Sequence, residues 1–444
     1  MSALHRFLHR METPPKWLRR GLLVVLSLFV CAVAVRYHEK IREPSRDGTQ
    51  TRSAVLRWRE RVVGMLDGKD VYREYRYPYP NPPIQALILA PLYTTSPVTG
   101  GMIWFAIKVG MAVASFVWCL RLVRGADRVH PVAVFFAVIF CLHPVLGDLT
   151  HGNVNIFIAF LVFAALEAYR READIAAGLV LGLAIACKVT PALFLPYFAW
   201  KRNWRMLAAT LVGTLLWLVV VPGMILGQQR NGTLLESWFE TMVKPFAVDG
   251  KITSEHANQS IPGAVVRLLT DLPSVIDHDE DDVEDQAKAF HNVTDIGMPA
   301  AQWLIRLCQL GFVVLVVRYC RTPNDVRAGP RVAAEFALIL LGMLLFSERT
   351  WKHHGVVLML PFVVNESMLF GERTTKRLAW FLLALLAATF ALIVGPTLMD
   401  KKGQDLALTY GSHTLVFLAQ LAGIVAVLRL QESLPAQTDV APLN

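Results

Sequence analysis

The sequence predicts an all-α polytopic membrane protein, and three of its properties indicate this. Of the 444 residues, 54% are hydrophobic and only 18% are charged, whereas soluble domains have about 45–50% apolar and about 25% charged residues. The mean hydropathy is positive, at +0.43. The third property is a series of apolar runs long enough for membrane helices. These properties exclude an ordinary soluble enzyme, a disordered protein and a fibrous protein.

The apolar runs predict about 12 membrane segments. Continuous runs lie near residues 21–35, 100–120, 131–147, 153–169, 205–227, 299–318, 332–346, 355–370, 377–396 and 413–429. The stretch 174–200 is also apolar but is interrupted by Lys188, Thr190 and Pro191. We expect two half-length helices there, because a break at membrane depth is tolerated only where it is buried or lines a cavity. The first run is expected to be an uncleaved anchor, since no small-residue cleavage site follows it.

Lysine and arginine residues predict the orientation. Fifteen of them fall in the short loops assigned to the inside, against five in the short outside turns. Residues 1–20 and 431–444 are therefore expected to be cytoplasmic, on either side of a single transmembrane domain at 21–430. Two long segments, about 36–99 and 228–298, are expected outside. The same inside loops explain much of the net charge of +9 without a nucleic-acid partner.

Polar residues collect at the predicted outside junctions. DLTHGNVN at 148–155 and SERTWKHH at 347–354 each follow an apolar run, Lys188 lies in the broken helix, and Asn258 and Gln259 lie in the second long loop. Charged groups at membrane depth usually line functional cavities. Alternatively, a histidine at a helix end acts as a cap, and Arg349 and Lys352 contact lipid phosphates. The clustering on one face favours a functional site.

Prolines in the first long loop predict a rigid extended segment. Pro78, Pro80, Pro82 and Pro83 prevent regular helix, and the apolar run 84–92 that follows is too short to cross. We expect this run to lie in the interface or to dip in and return. The segment is either a plain re-entry turn or a wall of a lipid-substrate cavity.

Five motifs in order resemble glycosyltransferase family 87, a family of the GT-C class whose best-known members are mycobacterial mannosyltransferases acting on phosphatidylinositol mannosides. They are YPNPP at 79–83, HGNVN at 151–155, a Gly-rich helix ending in Lys-x-Thr-Pro at 177–197, NQS at 258–260 and SERTWKHH at 347–354. The resemblance covers about residues 50–365. It implies a GT-C-like bundle and a polyprenyl-phosphate sugar donor. The family's early acidic residue is displaced here, because its position falls near Ser53 or Ala54.

Glycosyl transfer from a lipid phosphate needs a base and groups that hold the leaving phosphate. The candidate bases are Asp47 and Asp148. The candidate groups for the donor phosphate and substrate are His151, Asn155, Lys188, Asn258, Gln259, Arg349, His353 and His354. Because fixed cations can neutralise a monophosphate, we predict no metal and no other cofactor.

The predicted function is transfer of a hexose, expected to be mannose and with inversion, on the extracytoplasmic face of a bacterial plasma membrane. The expected partners are the polyprenyl-phosphate sugar donor, a lipid or glycan acceptor and membrane lipids. Two alternatives remain at the level of sequence. A secondary transporter also uses broken helices, although only one strong break is present, at Lys188. A lipid-glycan binding protein without catalysis would explain the displaced acid.

Overall fold

A computed structural model describes residues 16–42, 53–124, 129–277, 286–371 and 374–433. The regular secondary structure of the described chain is helical apart from one small hairpin, which agrees with the predicted all-α membrane fold. The helices of its first half are α1 (Lys16–Arg42), α2 (Ala54–Arg57), α3 (Arg59–Leu66), α4 (Pro83–Thr94), α5 (Pro97–Arg124), α6 (Pro131–His151), α7 (Asn155–Arg170), α8 (Asp174–Cys187), α9 (Phe194–Trp200), α10 (Trp204–Leu215) and α11 (Val221–Leu226).

The second half begins with a folded loop. Its elements are α12 (Gln228–Trp238), α13 (Lys244–Ala247), α14 (Ile261–Leu269), β1 (Val275–Asp277), β2 (Gln286–Ala289), α15 (Met298–Tyr319), α16 (Pro330–Leu345), a 3-10 helix (Lys352–Leu358), α17 (Met359–Leu369), α18 (Lys376–Val394), α19 (Lys401–Thr409) and α20 (Ser412–Ser433). The two strands are antiparallel, with Val275 opposite Ala289 and Asp277 opposite Gln286.

Six helices of the described residues are long and apolar enough to cross a membrane, judged by length and composition. They are Pro97–Arg124, Pro131–His151, Trp204–Leu226, Met298–Tyr319, Lys376–Leu398 and Ser412–Glu432. Residues 204–226 count as one helix because a π-helical stretch at Leu216–Val220 joins α10 to α11. The count of about 12 segments therefore stays a prediction.

The chain breaks at Lys188, as the Lys-x-Thr-Pro pattern predicts. Helix α8 ends at Cys187, Lys188 is extended (φ −160°, ψ 128°), and a 3-10 turn at Thr190–Leu193 leads into α9. The first residue of α8 and the residue after α9 both contact the stretch around the start of α16. Asp174 bonds Arg327 at 2.8 Å, and Lys201 bonds Glu335 at 3.0 Å. The two half-helices α8 and α9 therefore run in opposite directions, and Lys188 lies near the point where the chain reverses.

Glycines let α8 approach α10 closely. A Cβ atom built on Gly182 would lie 2.5 Å from the backbone nitrogen of Thr214, and one on Gly178 would lie 2.5 Å from the Cβ of Ala209. Small residues at four-residue spacing are what close packing of membrane helices requires. This contact fixes the position of the half-helix that ends at Lys188.

The core lies around α16 and α17. Residues 332–345 of α16 are all buried, so this helix is apolar on every side and has no lipid-facing stripe. It packs on α5, α17 and α20. At its end the chain leaves the helix through residues 346–351 and enters the 3-10 helix, which carries the two adjacent histidines to the same place as Lys188.

Candidate active site

A buried ion pair joins α5 to the end of α6. The Lys108 and Asp148 side chains are both fully buried, with Lys108 Nζ 3.2 Å from Asp148 Oδ1. The same ammonium donates to the Asp148 backbone oxygen at 2.8 Å. Removing one partner of such a pair leaves an uncompensated buried charge, which costs about 3–5 kcal/mol. The pair therefore holds the end of α6 firmly against α5.

The second carboxylate oxygen of Asp148 holds the turn that follows α6. Asp148 Oδ2 accepts hydrogen bonds from the backbone nitrogen and from Nδ2 of Asn155, both at 3.1 Å. Between them Gly152 takes a left-handed conformation (φ 69°) and ends α6. Its missing Cβ also leaves room for the Ser53 and Tyr37 hydroxyl groups. The HGNVN motif is thus a turn that binds the Asn155 amide nitrogen to Asp148 and leaves the amide oxygen Oδ1 free to accept from another group.

Lys188 completes a chain of side chains that connects five segments of the protein. Its ammonium donates to Asn155 Oδ1 at 2.8 Å and lies 3.3 Å from Nε2 of His354. Because Asn155 donates its other hydrogen bonds to Asp148, the order of contacts is Lys108, Asp148, Asn155, Lys188 and His354. Of the residues predicted for substrate binding, Lys188 is thus in direct contact with both Asn155 and His354.

The remaining predicted histidines lie beside this chain. His353 stacks on His151, with ring centroids 6.0 Å apart, and contacts His354 at 5.1 Å. His151 Nδ1 is 2.8 Å from the Gly147 backbone oxygen. The sequence-predicted cluster of His151, His353 and His354 therefore gathers around Lys188 at one face of the bundle, which we call the site face.

A narrow pocket opens at Lys188. Asn155, Lys188, Thr190, Met343, Ser347 and His354 are among the residues that line it. Its volume of about 30 Å³ has room for only a few water molecules. A hexosyl phosphate can therefore occupy this place only after lining side chains move or by lying at the mouth of the pocket.

Asn258 and Gln259 form an anchor for the second long loop. The Asn258 amide donates to the backbone oxygens of Thr253 and Glu348, both at 2.9 Å, and accepts from Thr350 N at 3.0 Å. Gln259 bonds the backbone of Leu408 and His413. Both side chains are fully buried. The structure places them beside SERTWKHH, where protein groups already use their hydrogen-bonding atoms.

Arg349 and Glu348 lie at the rim of the site. Arg349 Nε donates to Thr253 Oγ1 at 3.2 Å and lies 3.5 Å from Glu348 Oε1. Burial raises the pKa of Glu348, although the charges of Arg349 and Lys188 lower it. Glu348 is therefore a carboxylate close enough to Lys188 to feel its charge, with raised proton affinity.

The predicted base Asp47 lies outside the described residues. Ser53, near which the family's acidic position falls, is buried, and its hydroxyl is 2.8 Å from the Tyr37 hydroxyl. It packs against Gly152, so the start of the first long loop does reach the HGNVN turn. A neutral hydroxyl there cannot act as the base.

Lys108 was missed by the sequence analysis, although a signal was present. It stands within an apolar run, where a single lysine is costly unless it is paired. Its partner could not be named because the pairing with Asp148 joins residues 40 positions apart.

The sequence also did not predict a contact between the proline segment and the break at Lys188. Gln85 accepts a hydrogen bond from the Tyr79 hydroxyl and donates one to the backbone oxygen of Cys187, the residue before Lys188.

The fold and site define a helical membrane protein with a buried chain of charged and amide groups at one face. The model of glycosyltransferase family 87 matches residues 79–348, more than half of the chain, and the chain belongs to that family. The predicted family and the predicted enzyme class, a hexosyltransferase, are thereby confirmed.

Three curated relatives are named as mannosyltransferases. The chain is 26% identical to a polyprenol-phosphate-mannose-dependent alpha-(1-2)-phosphatidylinositol mannoside mannosyltransferase of Mycolicibacterium smegmatis, over 74% of this chain and 72% of the relative. It is 26% identical to the protein of that name from Mycobacterium tuberculosis, over 78% and 73%. A pentamannoside mannosyltransferase of M. smegmatis is 24% identical, over 72% and 71%.

Proposed function

We propose that this glycosyltransferase transfers a mannosyl group from a polyprenyl phosphate to a lipid or glycan acceptor on the extracytoplasmic face of a bacterial plasma membrane. The family match and the names of the relatives support the donor class and the sugar. The observation that carries the proposal is the position of Lys188. A lysine at a helix break, tied to Asn155 and next to His354, is placed to receive a lipid phosphate.

In this proposal Lys188 neutralises the charge that grows on the leaving phosphate. An ammonium held in place by an amide costs little reorganisation when that charge develops. His354 and His353 add N–H donors at the same place, and Arg349 at the rim guides the phosphate in. Fixed cations of this kind fit the predicted independence from metal, which retention of activity with excess chelator would support and complete loss would contradict.

We assign the base to Glu348 rather than to Asp148. Both carboxylate oxygens of Asp148 are engaged, one by Lys108 and the other by Asn155, so taking a proton would disrupt the ion pair. Glu348 has the raised pKa that proton transfer near neutral pH favours. In the transfer, the acceptor oxygen bonds the anomeric carbon, its proton goes to the base, and the bond to the phosphate oxygen breaks. Asp47 is the alternative base.

The test is transfer of labelled mannose from a short polyprenyl-phosphate donor by purified variants. Lys188→Ala should lower the rate by about 10²–10³-fold, the usual effect of removing one group that stabilises a developing charge. His353→Ala should abolish detectable transfer. Lys244→Ala is the matched control, because Lys244 is a partly exposed residue paired with Glu240 four positions earlier in the chain. Both site variants remaining active, with the protein folded, would refute the assignment of this site.

The two alternatives receive less support than the enzyme. Membership of a glycosyltransferase family favours catalysis over transport. The binding-only alternative makes a different prediction in the same assay, because a folded wild-type protein would bind the donor and release no labelled product.

A further inference from the structure

An apolar groove lies between α15, α18 and α20, well away from the site. Its walls are apolar side chains of all three helices, and an arginine stands at one end. The lining residues include Leu315, Phe381, Leu418, Leu421, Val425 and Arg429, and the volume is about 540 Å³. That volume is within the range of about 300–1,000 Å³ typical of ligand pockets.

The charged end of the groove is on the membrane face opposite the site. Helix α20 starts at the site face, where the backbone nitrogens of His413 and Thr414 bond Gln259. Arg429 comes 16 residues after His413, and at about 1.5 Å per residue it lies roughly 24 Å away along the helix. The groove therefore extends from Leu418, roughly 8 Å from His413 along the helix, to Arg429 at the far interface.

Arg429 is held in position at that end. Its Nε donates to the Tyr319 hydroxyl at 2.7 Å, and the Tyr319 ring lies 6.0 Å from the guanidinium of Arg429 and 5.0 Å from that of Arg318. Among the described residues no other hydrogen bond of Arg429 is present, so its two terminal nitrogens can bind another acceptor.

The surroundings of Arg429 carry an excess of positive charge. Arg318 pairs with Glu432 at 2.5 Å, and Arg321 and Arg331 are also close enough to act on that carboxylate. Within the described part of the chain, the buried Nε of Arg331 has no hydrogen-bond partner. Three arginines thus act on one glutamate close to Arg429, and this local excess of positive charge is a suitable place for an anion.

We propose that this groove binds an anionic glycerophospholipid of the membrane leaflet opposite the site. An acyl chain lies along the apolar walls, and the phosphate accepts hydrogen bonds from the terminal nitrogens of Arg429. Basic pockets between membrane helices are typical sites for anionic head groups. A second protein helix fits less well, because packing on α20 would cover Arg429 with apolar surface and leave the excess charge unneutralised.

The test compares lipid retention by the purified full-length protein, measured by native mass spectrometry. The probes are dioleoylphosphatidylglycerol and dioleoylphosphatidylcholine, which differ only in head group. Arg429→Gln removes the phosphate contact, and Ala422→Trp fills the groove. Arg306→Gln and Ala388→Trp are the matched controls, since both positions are exposed and neither lines the groove. Thermal unfolding with each lipid gives a second readout and shows whether each variant is folded.

We expect the wild type to retain phosphatidylglycerol in preference to phosphatidylcholine and to gain thermal stability only from the former. Arg429→Gln should lower phosphatidylglycerol binding about fivefold, which corresponds to about 1 kcal/mol per arginine near a membrane surface. Ala422→Trp should abolish it, and both controls should bind as the wild type does.

Four results would overturn the proposal. An equal loss in Arg306→Gln would mean general charge attraction. A change from dimer to monomer in Ala422→Trp, with lipid retention unchanged, would assign the groove to a second copy of the chain. Displacement of phosphatidylglycerol by a polyprenyl phosphate would assign it to the donor, and displacement by glycerol phosphate alone would assign it to a soluble phosphate.

Discussion

Asp148 and Lys108 are separated by 40 residues in sequence, yet neither side chain reaches solvent in the folded chain. The ion pair does not touch the pocket itself, since neither residue lines it. Its contact with the pocket runs through Asn155, which Asp148 holds by two hydrogen bonds and which in turn accepts from Lys188. We therefore infer that the pair positions Lys188 and does not react with substrate.

A double variant separates positioning from simple structural support. Lys108→Met alone should destabilise the protein by about 3–5 kcal/mol, because it leaves Asp148 charged and buried. Adding Asp148→Leu should restore most of that stability, since an apolar pair of similar size is often neutral or better. Transfer should stay at least tenfold below wild type, because Asn155 is no longer held. Thermal unfolding and the mannose-transfer assay check this, and wild-type activity in the stable double variant would reduce the ion pair to a structural role.

Glu348 predicts a pH dependence. Its raised pKa means that the carboxylate becomes protonated, and so unable to accept a proton, at a higher pH than an ordinary glutamate does. The wild-type rate should therefore fall as the pH is lowered through that raised pKa. Glu348→Gln should lower the rate by about 10²–10⁴-fold and remove this acidic limb from any residual activity.

The matched control for Glu348 is Glu240→Gln, because Glu240 is exposed and pairs with Lys244 four positions further along the chain. Asp47→Asn serves as the competing test of the base. If Asp47→Asn abolishes transfer and Glu348→Gln keeps both the rate and the pH profile of the wild type, the base is Asp47.

Single residues were predictable where local pattern alone indicates a cost. Lys188 interrupts an apolar helix beside Thr190 and Pro191, so its special environment could be inferred. The role of Asp148 could not, because it depends on a lysine from another helix that uses one of its oxygens. For the same reason Asn258 and Gln259 were recognised as unusual, although their partners lie about 90 and 150 positions further along the chain.

At the scale of elements, the glycine contact between α8 and α10 decides where the break at Lys188 lies. A side chain at Gly182 would meet backbone atoms of Gly213 and Thr214 at 2.5–2.8 Å. Backbone cannot move aside as a flexible side chain can. The half-helix would have to shift away from α10 and carry Lys188 with it.

Gly182→Leu should therefore destabilise the protein by at least the about 1–3 kcal/mol typical of overpacking, and it should reduce transfer in whatever protein remains folded. Gly110→Leu on α5 is the control, because nothing lies within 4 Å of a Cβ at that position. Thermal unfolding of both purified variants is the measurement. Equal stability of the two variants would show that the close approach is not needed.

The elements themselves followed from the sequence better than their contacts did. The proline segment predicted a short run that does not cross, and α4 has 12 residues, about 18 Å at 1.5 Å per residue. A bilayer core of about 30 Å is longer than that. The tie from Gln85 to the end of α8 was not predictable, because it depends on how α4 lies against a distant helix.

For the whole molecule, composition and five motifs in order were enough for the fold class and the family. The second long loop was expected only as a loop, yet it contains α12, α13, α14 and the β1–β2 hairpin. Its organisation depends on long-range bonds such as those from Arg267, whose guanidinium donates to the backbone oxygens of Thr409, Glu255 and Asn258. Burial lowers the pKa of Arg267 to about 10, so it remains charged at neutral pH. Such long-range contacts produce no local pattern in the sequence from which they could be predicted.

The orientation of the whole chain is the last prediction, and thiol labelling tests it. Lys251 is exposed and acts electrostatically on Glu348, so it reports the site face. Arg205 is exposed at the start of α10, in a loop assigned to the inside by its basic residues. In a background with Cys31 and Cys308 changed to serine, Lys251→Cys should react with a membrane-impermeant maleimide in intact spheroplasts. Arg205→Cys should react only after lysis.

The four remaining cysteines are buried, so the background variant without either new cysteine should stay unlabelled and is the control. We expect a polyprenyl-phosphate sugar to reach Lys188 from the leaflet on the site face, because Lys188 lies at that face beside His354. Labelling of Arg205→Cys but not Lys251→Cys in intact spheroplasts would therefore reverse the orientation and place the transfer on the cytoplasmic side.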